Sequence, residues 1–245
     1  MKLPKRAITL VLPYYDNPAM LAAQQAAWEC WPDAVKRQVE VIVVDDASPG
    51  TPATIRETGV QTSLYRIEVD VAWNWLQARN IGAHHARGEW LILTDIDHMV
   101  PLETVTQLLA GIQQRRWASE EEFYTFARAD APDLRPYKPH LDSFFMARRF
   151  FWDVGGYDED YAGHYGTASR WRKRCLAKGR MVHLPELRLI RYPREVVADA
   201  STVTLARKEV RDPQALRRID RWKAKNCHGQ VTLFRQPYRL VDTLC

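Results

Sequence analysis

Two aspartates, Asp95 and Asp97, stand one residue apart directly after the apolar run Trp90–Leu93. A short apolar run that follows a glycine, here Gly88, is typical of a buried strand. Side chains alternate along extended backbone, so both carboxylates point to the same side at the end of that strand. Mg²⁺ prefers one or two carboxylates together with phosphate oxygens and water. The pair therefore predicts a site for Mg²⁺ or Mn²⁺ against a substrate diphosphate; an Asp-rich turn is the alternative for an isolated pair.

Apolar runs at 7–12, 39–44 and 63–69 predict the strands that accompany this one. The run at 39–44 is β-branched and almost continuously apolar, which is typical of a strand in a parallel sheet. The stretches between the strands, at 19–28 and 73–86, predict helices. Strands that alternate with helices and end in polar loops indicate an α/β class with a doubly wound, mostly parallel sheet. Such a sheet binds ligands beyond the carboxyl ends of its strands.

The helix at 19–28 is predicted to start at Asn17, with the Asn side chain as its cap and Pro18 at the first helical position. The C-terminal half carries similar signals. Helices are expected at 101–114, 167–178 and 212–226, and strands at 123–128 and 181–190.

The composition is that of a folded, reduced protein. Of the 245 residues, 46% are hydrophobic, which excludes wholesale disorder. No stretch approaches the ~20 apolar residues of a membrane span, and the run at 7–12 is too short for a signal sequence. The four cysteines lie far apart without a Cys-x-x-Cys pair, which argues against a zinc cluster and favours the cytoplasm.

Charge is segregated along the chain. The net charge of +5 divides into +12 over residues 170–245, with 19 Lys and Arg against 7 Asp and Glu, and −7 over residues 1–169. A basic C-terminal third indicates a polyanionic partner, and a solvated basic surface is the plain alternative.

Four segments of the chain carry a resemblance to a known family. They are ITLVLPYYDNP at 8–18, VIVVDDASPG at 41–50, ARNIGAHHARGEWLILTDID at 78–97 and SFFMARRFFWDVGGYDED at 143–160. In this order and spacing they make the chain similar to family 2 glycosyltransferases of the GT-A fold. The resemblance implies an enzyme that takes a sugar from a nucleotide-sugar, usually a UDP-sugar, with Mn²⁺ or Mg²⁺ held at the Asp-x-Asp pair.

The resemblance also suggests a division of the chain. Residues 1–200 are expected to form the glycosyltransferase domain, with the nucleotide-sugar-binding half at 1–115 and the acceptor half at 116–200. Residues 201–245 are expected to form a basic, helical C-terminal extension.

The residues expected to bind the donor follow the first strands. A nucleotide base needs an aromatic or apolar wall and a few polar contacts at its edge. Arg79 has the bidentate fork suited to a diphosphate. Asp97 is the expected catalytic metal ligand, and Asp95 is expected to bind the metal, its water or the ribose. The other expected contacts are Pro13, Tyr14, Asp16, Asp46 and, as a supporting or turn residue, Asp45.

Two histidines are candidates for additional metal ligands. His183 is assigned this role, and His98 is the second candidate. A hydrogen-bonded structural histidine is the alternative for each.

The catalytic base departs from the family pattern. Inverting members carry a Glu-Asp pair shortly after a Gly-Tyr-Gly-like turn, and the stretch 163–170 has the turn without the acidic pair. Three alternatives stay open: a carboxylate of the preceding loop, an imidazole that titrates near neutral pH, or a retaining reaction that needs no such base. Lost catalysis is a fourth. The side chains considered for the base are Asp158, Glu159, Asp160 and His164.

The acceptor is the least specified part of the reaction. A surface glycan or lipid-linked acceptor is expected first, with the enzyme in the cytoplasm or peripheral at the inner membrane surface. Transfer to hydroxymethylated bases in DNA is the alternative, because Lys and Arg contact phosphates. A non-catalytic protein that binds a sugar nucleotide or a polyanion is the alternative from another class. Oligomeric state is not predicted.

Overall fold

The computed structural model describes residues 6–117, 121–201, 212–228 and 230–244, and these residues build one ten-stranded sheet. The strands are β1 (Ile8–Tyr14), β2 (Val39–Asp45), β3 (Gln61–Ile67), β4 (Trp90–Leu93), β5 (His98–Met99), β6 (Glu122–Asp130), β7 (Arg135–Tyr137), β8 (Phe144–Ala147), β9 (Arg180–Arg191) and β10 (Tyr238–Leu244). Their order is β10-β3-β2-β1-β4-β8-β6-β9-β5, and β7 pairs with β6.

Helices connect and cover these strands. They are α1 (Pro18–Glu29), α2 (Asp33–Lys36), α3 (Trp75–His85), α4 (Leu102–Gln113), α5 (Arg148–Asp153), α6 (Ala168–Lys178) and α7 (Pro213–Asn226), with a short 3₁₀ turn at Glu159–Tyr161. The helices predicted from the sequence are all present. Within the described ranges, no helix is long and apolar enough to cross a membrane.

The four strands of the N-terminal half run parallel, as predicted. β1 pairs with β2 and β4, and β2 pairs with β3. Every residue of β1 and β2 is buried, because hydrophobic clusters pack against both faces of the sheet. Gly82 lets α3 lie directly on β1, since a Cβ there would come within 2.2 Å of a Val11 methyl group. The segments after β1, β2 and β4 therefore meet at one edge.

The C-terminal half makes the sheet mixed. β8 runs antiparallel to β4 and β6, whereas β9 runs parallel to β6. Just beyond the β4–β8 pairing, the hydroxyl groups of Thr94 and Ser143 lie 2.6 Å apart. The residues that precede β8 thus start beside the residues that follow β4.

The basic C-terminal segment packs on the same sheet. α7 starts as predicted at Asp212, whose side chain accepts a hydrogen bond from the amide of Gln214. Lys223 of α7 is buried against Asp158 and Asp160, and β10 pairs antiparallel with the edge strand β3. The division of the chain at 115 and 200 stays a prediction.

The start of α1 differs from the sequence prediction in one respect. The Asn17 side chain does not cap the helix; its Oδ1 accepts from the amide of Tyr15. Asp199, far along the chain, takes that place and accepts from the amides of Ala19 and Met20 over 2.6 and 2.9 Å. Only the folded chain brings this carboxylate to the helix.

Candidate active site

A cleft of about 450 Å³ opens where β1, β2 and β4 end. Its carboxylates are Asp46, Asp95, Asp97 and Asp142. Pro13 and Tyr14, also predicted from the sequence, contribute to its wall. The other predicted site residues lie outside the lining. These are Asp16, Asp45, Arg79, Asp158, Glu159, His164 and His183.

Asp46 is a buried carboxylate at the end of β2. Its Oδ2 accepts from the amide of Asn74 over 3.0 Å, and its Oδ1 has no partner among the described residues. Burial raises the pKa of Asp46 well above its ordinary value, although the Asn74 amide opposes the rise. An unsatisfied buried oxygen is costly. A ligand that donates a hydrogen bond here removes that cost.

Asp16 and Asp45 support the loop that follows β2 instead of lining the cleft. Asp16 accepts from the amides of Gly50 and Thr51 over 3.2 and 2.6 Å. Asp45 accepts from the amide of Ser48 at 2.8 Å and forms an ion pair with Arg66. Both carboxylates hold this loop in place, and their expected contacts with the donor stay predictions.

Arg79 lies behind Asp95 and not in the cleft. Its side chain is fully buried, and its Nη2 donates to Oδ1 of Asp95 over 2.7 Å. Its Nη1 donates to the carbonyl of Asp142 and the hydroxyl of Tyr157, so the fork is occupied. The sequence-based assignment of Arg79 to the diphosphate is thus corrected to a residue that positions Asp95.

Asp95 is the more exposed carboxylate of the pair, with 43% of its side chain accessible. Desolvation alone would raise the pKa of Asp95. The positive charge of Arg79 and its hydrogen bond outweigh that effect and hold the pKa of Asp95 below its ordinary value. Asp95 is therefore ionised throughout the neutral range and available to a cation.

Asp97 is oriented by His98. Nδ1 of His98 lies 2.7 Å from Oδ1 of Asp97, and its Nε2 lies 3.2 Å from Nη1 of Arg128. Because an arginine can only donate, Nε2 accepts and Nδ1 carries the proton that is donated to Asp97. This hydrogen bond gives His98 the structural role that the sequence left as its alternative.

The donor set at Asp95 and Asp97 fits a hard divalent cation. Within the described ranges, no cluster of three or more His, Cys, Asp or Glu side chains is arranged to hold a metal. Two carboxylates are nevertheless what Mg²⁺ requires when phosphate oxygens and water complete its shell. His183 does not join them: it is exposed on β9, and its Nδ1 lies 3.2 Å from the Thr125 hydroxyl. Its assignment as a ligand is corrected accordingly.

The loop acids predicted as bases form hydrogen bonds and ion pairs with the C-terminal segment. Glu159 is fully buried and accepts from Asn80 and from the amides of Phe234 and Arg235. Asp158 and Asp160 form ion pairs with Lys223 at 2.9 and 2.6 Å. All three carboxylates hold the fold together and none faces the cleft.

His164 also lies outside the cleft lining. Its Nδ1 is buried and has no hydrogen-bond partner among the described residues. Desolvation lowers the pKa of His164 below its ordinary value, which Asp212 partly offsets. The sequence made His164 a candidate for the base, and the structure places it near Asp212 at the start of α7.

His140 and Asp142 are among the cleft residues that were not singled out from the sequence. They precede β8, and the contact of Thr94 with Ser143 sets them beside Asp95. Burial lowers the pKa of His140 to about 4, so the ring is neutral, and it lies 3.5 Å from Asp95. Burial raises the pKa of Asp142 to about 6. A prediction that β8 pairs antiparallel with β4 would have placed both residues in the cleft.

The order of these features along the chain matches a known family. The family model described as Glycosyl transferase family 2 matches residues 9–157, more than half of the chain. The chain belongs to glycosyl transferase family 2. The family is the one that the four sequence segments implied. No curated protein sequence matches it.

Solved structures share its fold. TarS residues 1–349 of S. aureus match with a TM-score of 0.58 and 14% identity, over 79% of this chain and 63% of that one. The complex of TarS 1–349 with UDP-GlcNAc matches with a TM-score of 0.55 and 15% identity, over 80% and 62%. GalNAc-T7 with UDP, GalNAc and Mn²⁺ matches with a TM-score of 0.58 and 15% identity, over 78% and 45%. The family 2 chain therefore has the GT-A fold and spans less than two thirds of the TarS chain.

Proposed function

We propose that this enzyme transfers a sugar from a UDP-sugar to a hydroxyl group of a glycan or lipid-linked acceptor, with Mn²⁺ or Mg²⁺ at Asp95 and Asp97. One observation carries the proposal. The two carboxylates face the same cleft, and the buried Arg79 keeps Asp95 ionised. Such a pair suits a metal that shares its shell with a diphosphate.

The ligands of the similar structures support this donor. TarS 1–349 was solved with UDP and with UDP-GlcNAc, and GalNAc-T7 with UDP, GalNAc and Mn²⁺. Family membership also favours an enzyme over a non-catalytic binding protein.

The nucleoside is proposed to lie between β1 and β2. Pro13 and Tyr14 supply an apolar and aromatic wall there, and Tyr14 is fixed by its hydroxyl group donating to the carbonyl of Thr51. The unpartnered Oδ1 of Asp46 is the acceptor for an N–H at the edge of the base. When bound, the metal supplies charge neutralisation for the leaving diphosphate.

Asp142 is the proposed catalytic base. It lies in the cleft beside Asp95, and the structure gives its carboxylate no hydrogen bond with the described residues. Burial raises its pKa to about 6, near the neutral pH at which a general base is most effective. Asp142 thereby takes the role for which the family uses the acidic pair that this chain lacks.

The outer wall of the cleft suits a sugar acceptor. The rings of Trp73 and Tyr165 lie 6.2 Å apart between centroids, and 53% of Tyr165 is exposed. Exposed aromatic faces pack against the apolar faces of sugar rings. Hydroxymethylated DNA is the second candidate acceptor, favoured by the +12 charge of residues 170–245.

Calorimetric titration with UDP, with and without Mn²⁺, tests the donor site. We expect UDP to bind in the presence of Mn²⁺ and uridine to bind much more weakly, because it lacks the diphosphate. A screen of UDP-, GDP- and TDP-sugars for thermal stabilisation identifies the donor, since a ligand at 100 times its Kd adds about 2.7 kcal/mol. Equal binding of UDP with and without metal contradicts the proposed metal site.

A further inference from the structure

Arg128 is a buried cation without a carboxylate partner among the described residues. Only 8% of it is exposed, its Nη1 lies 3.2 Å from Nε2 of His98, and its Nε makes no hydrogen bond with the described residues. Burial and the charge of Arg191 lower the pKa of Arg128, although Asp130 and Asp97 oppose this. A buried charge without a counter-ion is costly. An anion that reached Arg128 would remove much of that cost.

The strand register sets a second arginine beside it. Arg128 of β6 lies opposite Tyr137 of β7, and Arg191 of β9 lies opposite Asp130, two residues further along β6. Residues i and i+2 of a strand share a face, so both arginines project from the same side of the sheet. Their guanidinium carbons lie 4.5 and 4.9 Å from the centre of the Tyr137 ring. Both side chains line the cleft.

We propose that Arg128 and Arg191 form a subsite for a phosphoryl group within the cleft. Their planar forks match the oxygens of a phosphoryl group, and both orient against the Tyr137 ring. The subsite adjoins Asp97 through His98. Its phosphoryl group comes either from the diphosphate of the donor or from a phosphate on the acceptor. The inference rests on the function proposed above, because it assigns a ligand to the same cleft.

Two substitutions test the subsite in opposite directions. Arg191→Gln removes one fork and should lower phosphoryl affinity about tenfold or more, the range of one or two charge-assisted hydrogen bonds. Asp130 holds Arg191 through an ion pair of 2.6 Å. Asp130→Asn should free that fork and raise the affinity of the subsite, a gain that damaged folding cannot produce. Arg135→Gln is the matched control, because its side chain is 82% exposed.

Two titrations separate the sources of the phosphoryl group. The donor arm compares UDP with uridine in the presence of Mg²⁺. The acceptor arm titrates inorganic phosphate into the protein alone and into the protein saturated with UDP and Mg²⁺. A change confined to UDP assigns the subsite to the donor diphosphate, and a change in phosphate binding to UDP-saturated protein assigns it to the acceptor.

The inference is overturned if Arg191→Gln and Asp130→Asn leave UDP and phosphate affinities unchanged. Failure of the proposed function looks different, because the wild-type protein then binds no UDP at all. The titration of phosphate into the protein alone still decides the subsite in that case. Binding of phosphate that Arg135→Gln weakens as much as Arg191→Gln also contradicts the inference, since it indicates a diffuse surface charge.

Discussion

Nη2 of Arg79 donates to Oδ1 of Asp95 over 2.7 Å, from a side chain that is itself fully buried. The same guanidinium donates to the backbone carbonyl of Asp142, so one buried group contacts two residues that line the cleft. A buried residue of α3 thereby helps to position the proposed metal ligand Asp95 and the segment that carries the proposed base.

Removal of the Arg79 charge is the first prediction. Arg79→Gln should lower the free energy of unfolding by about 3 kcal/mol, because it leaves buried acceptors without their donor. It should also raise the pKa of Asp95 and weaken Mn²⁺-dependent UDP binding. Urea unfolding and calorimetry measure the two effects. Arg79→Lys keeps the charge and should lose less of both; equal losses for the two variants contradict the charge-based account.

The metal ligand gives the second prediction. Asp97→Asn keeps the size of the side chain and removes the charge that holds the ion, so sugar transfer or donor hydrolysis should fall by orders of magnitude. Binding of UDP should lose its dependence on Mn²⁺ while the melting temperature without ligand changes little. Asp133→Asn, at a side chain that is 60% exposed, is the control. Near-normal turnover in Asp97→Asn rules out the metal assignment.

The pH dependence of the proposed base gives the third prediction. Asp142 must be ionised to accept a proton, and its pKa of about 6 means that activity rises as pH increases through about 6. Asp142→Asn should abolish transfer without altering UDP affinity, and Asp142→Glu should retain part of it. If Asp142→Asn transfers sugar with an unchanged pH profile, Asp142 is not the base. The product anomer, read by NMR, then tests for a retaining reaction.

The fourth prediction separates structure from chemistry at Glu159. Glu159→Gln removes a carboxylate that accepts from two backbone amides and from Asn80. The free energy of unfolding should fall by about 2 kcal/mol. Donor affinity should stay at the wild-type value, because the residue lies outside the cleft. Glu57→Gln, at an exposed position, is the control. A stable but inactive Glu159→Gln would restore the residue as a candidate for the base.

The basic third of the chain gives the fifth prediction. Arg217, Arg221 and Lys225 are exposed at four-residue spacing on one face of α7, whereas Lys223 is buried in its ion pairs. We expect binding to duplex DNA or anionic vesicles at 50 mM salt that weakens steeply with salt. Reversal of these three charges should lower the salt slope for DNA by about 0.9 per lost phosphate contact.

Comparison of DNA with vesicles separates the two acceptor candidates, and UDP affinity should stay unchanged in the charge-reversed variant. Absence of binding to both at 50 mM salt leaves a solvated basic surface and contradicts the prediction.

Local patterns predicted the strands β1 to β4, β6 and β9 and the longer helices, because each of these elements is marked within a few residues. Apolar runs of strand length and the helix start at Asn17–Pro18 are recognised from neighbouring residues alone. The rule that ligands bind beyond the carboxyl ends of parallel strands placed Asp46, Asp95 and Asp97 together. The sequence alone was therefore enough to predict that these three carboxylates share one cleft.

The positions of the remaining site residues depend on tertiary contacts that the sequence does not reveal. Arg79 reads as a surface charge on a helix, and only the packing of α3 against the sheet buries it. Glu159 meets its partners at Phe234 and Arg235, more than 70 positions away. Asp142 enters the cleft through the antiparallel register of β8. Each of these depends on contacts distant in sequence, for which a single chain carries no local signal.

The hydrogen bonds of Asp199 join the segment that contains Ala200 and Ser201 to the first turn of α1. The residues that follow Asp199, Ala200 and Ser201, line the cleft, while the carboxylate itself holds the amides of Ala19 and Met20. We expect a ligand that packs against the exposed Ser201 to restrain that carboxylate and so to suppress the local openings through which those amides exchange with solvent. The deuterium uptake of the Ala19 and Met20 amides would thus report whether the cleft is occupied, without the need for a labelled substrate.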